Sequence, residues 1–188
     1  PYTTTQHIEL TEIPAPPFME EVRAAAFADR LRAAGVDSVW IDAVGNVMGF
    51  IKGVEGSKTV ALNAHLDTVF PEGTDVKVQK QNDTLYAPGI GDDTRGLAML
   101  LTVSKVLQEQ SLNPSSNVLI VATVGEEGLG DLRGVKNFEY NLSQALECHS
   151  RRRTTPVEIG SHLHKMLNIH SMGRLSRNTL HKQLYYIL

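Results

Sequence analysis

The chain has 188 residues, of which 41% are hydrophobic and 21% charged, and a formal net charge of −3. That length suits one domain with a buried core, and the composition excludes a fibrous or broadly disordered protein. The single cysteine, Cys148, excludes an internal disulfide framework and a four-cysteine metal site, and no apolar run reaches the roughly 18 residues of a membrane span.

Residues 18–34, FMEEVRAAAFADRLRAA, place Phe18, Val22, Ala25, Ala26 and Leu31 at helical spacing, with Gly35 at the expected stop, and predict a surface helix. Trp40, between Val39 and Ile41, reads as strand core. GNVMGFIKG (45–53), bounded by glycines, predicts a short strand, and TVALNAH (59–65) an apolar strand of the kind buried in an α/β sheet. Residues 95–108 read as a helix with Leu97, Leu100, Leu101, Val103 and Leu107 on or near its buried side. After a loop with Asn113 and Pro114, NVLIVATV (117–124) predicts a third strand. Helix, strand, strand, helix, strand describes an α/β layered domain, whose ligands gather beyond the carboxyl ends of the strands. Lys105 and Arg133 read as ordinary surface residues.

The charge balance divides the chain. Residues 1–138 carry 11 Lys and Arg against 18 Asp and Glu, whereas residues 139–188 carry 7 against 3. The first part holds 13 of the 15 glycines and reads as the folded portion; the second holds five of the seven histidines and is poorly patterned. The basic run Arg151, Arg152 and Arg153 invites a nucleic-acid reading, but no aromatic platform accompanies it and no nucleic-acid partner is expected. A soluble, cytoplasmic protein is favoured.

Three clusters carry the chemistry. His65 and Asp67 stand two apart at the end of the second strand and point to one side of an extended chain, which suits a ligand and the carboxylate that orients it. Asp92 and Asp93 follow the glycine-rich turn APGIGDDTRG and precede a helix, as N-cap residues or as a carboxylate able to bridge two metal ions. Glu126 and Glu127 end an otherwise uncharged strand, where adjacent carboxylates are costly unless metal or hydrogen bonds compensate them. Together the clusters favour an oxygen and nitrogen site for zinc, cobalt or manganese.

The succession HLD, then GIGDDTRG, then EEG resembles the zinc-dependent metallopeptidases and deacylases that include aminoacylase, glutamate carboxypeptidase, peptidase T and acetylornithine deacetylase, over roughly residues 8–138. The resemblance implies a partial zinc-peptidase-like (phosphorylase/hydrolase-like) α/β layered domain with a mixed sheet flanked by helices. It implies that His65 binds the first metal while Asp67 fixes its imidazole, that Asp92 bridges two zinc ions, and that Glu127 binds the second. Cobalt or manganese would serve as substitutes. Glu126 would be the general base for hydrolysis of a peptide or N-acyl amino-acid amide bond by an activated water. The peptide from Asp92 to Asp93 is commonly cis in that family.

The family's third ligands, an acidic residue some two dozen positions after the glutamate pair and a histidine near a distant C-terminus, have no counterpart in register. Two protein ligands then remain for each metal, and no lid or dimerisation domain is expected. The codons for ECHSRRR, shifted by one nucleotide, can encode NAIVVDG, so residues from about 147 onward read as a changed frame or an alternative splice. His149, His162, His164 and His170 are the alternative source of ligands. On this reading the chain is a truncated metal-dependent hydrolase; the alternative is an inactive remnant or interaction protein with an incomplete metal site.

Overall fold

The computed structural model describes residues 2–36, 38–55 and 58–151, with side chains as far as 142. Its elements are helices α1 (Tyr2–Thr11) and α2 (Glu21–Ala33), strands β1 (Ser38–Ile41), β2 (Val47–Ile51) and β3 (Thr59–His65), the small pair β4 (Gln79–Gln81) and β5 (Thr84–Tyr86), helix α3 (Thr94–Glu109), strand β6 (Asn117–Thr123) and helix α4 (Arg133–Arg151). The expected frame change and the substitute histidines fall beyond the described side chains. Helix α4 crosses position 139, where the charge balance turns.

Four strands form one sheet in the order β1-β2-β6-β3, with β1, β2 and β6 antiparallel in sequence and β3 parallel to β6. This is the mixed sheet the resemblance implies. β6 is central and buried on both faces, which explains its unbroken apolar sequence. Its side chains alternate: Ile120 and Ala122 join the core formed with Leu10 of α1, Phe27 and Leu31 of α2, and Leu97 and Leu101 of α3. Leu119 and Val121 join a smaller cluster on the other side with Met48, Phe50 and Ala61, against which Trp40 and Phe138 of α4 pack. Helices therefore cover both faces.

Helix α2 starts later, and turns a different side inward, than the sequence suggests. Ala24, Phe27, Ala28 and Leu31 are buried, whereas Val22 is exposed and Phe18 precedes the helix, exposed, with a left-handed φ of 72°. In an alanine-rich segment two apolar stripes compete, and the one that includes Phe27 removes more surface from water. Trp40 lies on an edge strand and is only partly buried, not core.

The register places the chemistry. His65 pairs with Thr123, so β3 and β6 end at one level and the chain leaves each strand beside the other. Asp67 thereby meets the turn that carries Glu126 and Glu127, and α3, reached from β3 by way of β4 and β5, starts at the same end, where its N-cap Asp93 meets the His65 N–H.

Candidate metal centre

His65, Asp92 and Glu127 converge, with one ligand atom of each within 4.8 Å of the others. His65 is buried, its Nε2 stands 2.9 Å from Asp92 Oδ1, and the Asp92 side chain is 69% exposed, so the cluster opens to solvent through that carboxylate. Nδ1 of His65 lies 3.0 Å from the main-chain carbonyl of Asp67 and 3.7 Å from its carboxylate. The anchor for the imidazole is thus mainly the backbone of Asp67, and the carboxylate has other partners. Its Oδ1 accepts the Glu126 N–H at 3.0 Å and its Oδ2 the Glu127 N–H at 2.8 Å.

Asp93 supports the site from the opposite side. Its Oδ2 accepts the His65 N–H at 3.2 Å, and its Oδ1 caps α3 by accepting the Gly96 N–H at 3.1 Å. The N-cap expected at this turn is therefore Asp93, which leaves Asp92 free to face His65. The peptide between them is cis. Helix α1 holds the turn from outside: His7 Nε2 meets the Ile90 carbonyl at 2.5 Å, and Thr11 Oγ1 lies 2.8 Å from Thr94 Oγ1, whose hydroxyl donates to the Gly89 carbonyl. Gly89 has φ 73°, and a Cβ there would stand 2.6 Å from Thr68 Cγ2, so only glycine fits.

The electrostatics suit a cation. Burial opposes a charged imidazole at His65, but the Asp67, Asp93 and Asp92 carboxylates outweigh it and its pKa is pushed up to about 9. Both ring nitrogens face acceptors, as an imidazolium requires. Asp67 is also buried, yet the His65 ring and the two glutamate amides hold its carboxyl below the usual range. Burial, then the neighbouring Glu126 and Asp92 charges, pushes Glu127 up. Burial likewise raises Asp93. A metal in place of the Nε2 proton would face one imidazole and two carboxylates, a donor set that zinc accepts. Donors sharing a zinc ion at about 2.0–2.2 Å lie up to roughly 4 Å apart, so the trio fits with small side-chain movements. Glu126 sits on the same turn but outside the trio.

Two supporting residues, Asn46 and Glu20, were not singled out in the sequence, and a third, Arg133, was read there as ordinary surface. Buried Asn46 accepts the Val124 N–H at 3.1 Å, and buried Glu20 accepts the Gly125 N–H at 3.1 Å. Arg133 is not an ordinary surface residue but pairs with Glu20 at 2.7 Å. Four successive N–H groups, from Val124 to Glu127, are thus each accepted by a buried side-chain oxygen. Only the single polar residue inside an otherwise foldable segment, as at Asn46, could have signalled this.

Residues 61–173 match peptidase family M20/M25/M40. Carboxypeptidase G2 of Pseudomonas sp. (strain RS-16) is 34% identical over 84 residues, covering 44% of this chain and 20% of that protein. The probable zinc metalloprotease of Leptosphaeria maculans is 31% identical over 111 residues, covering 56% of this chain and 24% of its own length. Among solved structures, aminopeptidase PepT from Bacillus cereus ATCC 10987 superposes with a TM-score of 0.59 at 24% identity, over 68% of this chain and 37% of that one. The chain thus spans about a fifth to a quarter of these two curated relatives. With the family match over most of the chain and the fold of a known peptidase, the chain belongs to peptidase family M20/M25/M40.

Proposed function

We propose that the chain carries the metal centre of a hydrolase that cuts peptide or N-acyl amino-acid amide bonds. His65, Asp92 and Glu127 would hold zinc, and Glu126 is the general base. The observation that carries this reading is the convergence of one buried imidazole and two carboxylates at the common end of β3 and β6. A relative named a carboxypeptidase and another named a zinc metalloprotease support the bond type and the metal.

Bound metal supplies Lewis-acid polarisation of the scissile carbonyl and lowers the pKa of water. The remaining work belongs to the protein. Glu126 takes the proton of the attacking water as its oxygen adds to the amide carbon, then delivers it to the amine nitrogen as the carbon–nitrogen bond breaks. Asp67 fixes the turn that presents Glu126 through the N–H groups of Glu126 and Glu127, and Asp93 fixes the backbone of His65. The test is Glu126→Gln assayed on N-acyl amino acids and dipeptides: hydrolysis should disappear while zinc content is unchanged, and equal hydrolysis by the variant refutes the assigned base.

A further inference from the structure

Glu20 is the N-cap residue of α2, yet its side chain makes no capping bond. The carboxylate turns inward instead, where it is almost wholly buried, with the residue 2% exposed. A buried carboxylate is unfavourable unless each oxygen finds a donor, and both do: Oε1 accepts the Gly125 N–H at 3.1 Å and Oε2 the Arg133 guanidinium at 2.7 Å. Those partners lie 105 and 113 residues along the chain. Arg133 opens α4, and its guanidinium stacks on the Phe18 ring at 4.5 Å.

The turn between these anchors is closely fitted. Gly125 has φ 60°, and a Cβ there would stand 1.9 Å from Arg133 Nη1. Gly130 returns against Gly125, where a Cβ would stand 2.5 Å from its Cα. The chain then reaches α4 through Asp131 and Leu132, both left-handed at φ 50° and 56°. Non-glycine residues keep such a conformation only where the surroundings impose it. The Glu20–Arg133 pair holds Gly125 at one end of this turn and the start of α4 at the other, and the residue after Gly125 is Glu126.

We propose that Glu20 is a positioning residue for the Gly125–Glu127 turn: its buried carboxylate, locked by Arg133, fixes the Gly125 backbone and through it the placement of Glu126 and Glu127. The assignment rests on the metal-hydrolase reading above for its functional meaning, but its structural content does not. Glu20 has no hydrogen bond to a candidate ligand, so its influence passes through the Gly125 amide and through Arg133. Asp67 secures the next two amides from the side of His65, and Glu20 secures the turn from the side of the helices. General bases and ligands must be held to a fraction of an ångström, and residues behind them typically carry about 10–100-fold in affinity or activity.

The test compares the full chain with Glu20→Ala, Glu20→Gln and Arg133→Met. In metal-free, nitrogen-labelled protein, amide exchange is followed at Gly125, Glu126 and Glu127, with Ile120 and Val121 of β6 as internal reference. Glu20→Ala should speed exchange at the turn by about tenfold or more, the loss of one charge-assisted bond, and leave the β6 amides as they were. Glu20→Gln, which keeps an acceptor for Gly125, and Arg133→Met, which keeps the Gly125 bond itself, should show smaller effects at the same residues. Should Glu20→Ala fail to fold, these two variants decide. Cobalt(II) titrations should then show affinity lower by about 10–100-fold in Glu20→Ala, with a changed visible spectrum, and largely restored in Glu20→Gln. Unchanged exchange at the turn, or equal acceleration in turn and β6, overturns the proposal. Failure of the wild-type chain to bind cobalt would defeat the metal reading alone, and the exchange comparison would still decide the role of Glu20.

Discussion

Asp67 Oδ2 accepts the backbone N–H of Glu127 at 2.8 Å, so the segment that leaves β3 after His65 is tied directly to the turn that carries Glu127, the second carboxylate of the candidate metal centre. The companion oxygen holds Glu126 in the same way at 3.0 Å. Asp67→Asn presents an NH2 group to one of two N–H donors and breaks that bond. Zinc affinity should fall by about 10–100-fold, as for other residues that orient ligands. Competition with a chromogenic chelator measures it, and an affinity equal to wild type would mean that the turn is set elsewhere.

The charge state of His65 makes metal uptake dependent on pH. Without metal its pKa is pushed up to about 9, against burial, by Asp67 and the other carboxylates. At pH 7 the ring is protonated, and a metal at Nε2 must displace that proton. Apparent affinity should therefore rise about tenfold per pH unit up to about pH 9 and then level off, one proton being released per chain from this group. Calorimetry in buffers of different ionisation heat counts the proton. The same shift, raised in the folded state, stabilises the metal-free protein fully below the unfolded value of 6.5 and loses that contribution as pH rises through about 9. Uptake independent of pH between 6.5 and 9 would contradict the arrangement.

Asn46 joins three parts of the fold. Its Oδ1 accepts the Val124 N–H at 3.1 Å, while its Nδ2 donates to the Gly134 carbonyl and to Asp42 Oδ2, each at 2.9 Å. Asn46→Ala leaves the Val124 N–H buried without its acceptor and should cost about 1–3 kcal/mol of unfolding free energy, read from urea denaturation. A loss below about 0.5 kcal/mol, the range of ordinary surface changes, would show that the network carries no load.

Much of this arrangement was legible from local pattern. The strand TVALNAH coincides with β3, and NVLIVATV overlaps β6 to within a residue, because apolar runs with clear ends admit few alternatives. His65 and Glu127 stand out because charge appears abruptly where those runs stop, and Asp92 because it follows a glycine-rich turn just before a helix; the structure brings the three together. Glu20 and Arg133 look like exposed residues at helix ends, since their partnership spans 113 residues and leaves no trace in spacing. Helix α1, YTTTQHIELT, has a weak apolar stripe and three threonines near its start; tertiary contacts such as Thr3 to Thr102 and Thr11 to Thr94 support it. Asp67 was legible as a site residue, but the engagement of its carboxylate with the glutamate turn depends on the β3–β6 register, which sequence alone does not specify.

The central claim, that His65, Asp92 and Glu127 hold metal, is tested most directly by zinc content per chain. A monodisperse preparation, dialysed against metal-free buffer, is compared by elemental analysis with Asp92→Ala. The account predicts zinc bound by the wild-type chain at the three-donor cluster and its loss in the variant. Near-zero zinc in the wild-type chain, or zinc retained in full by Asp92→Ala, would contradict it.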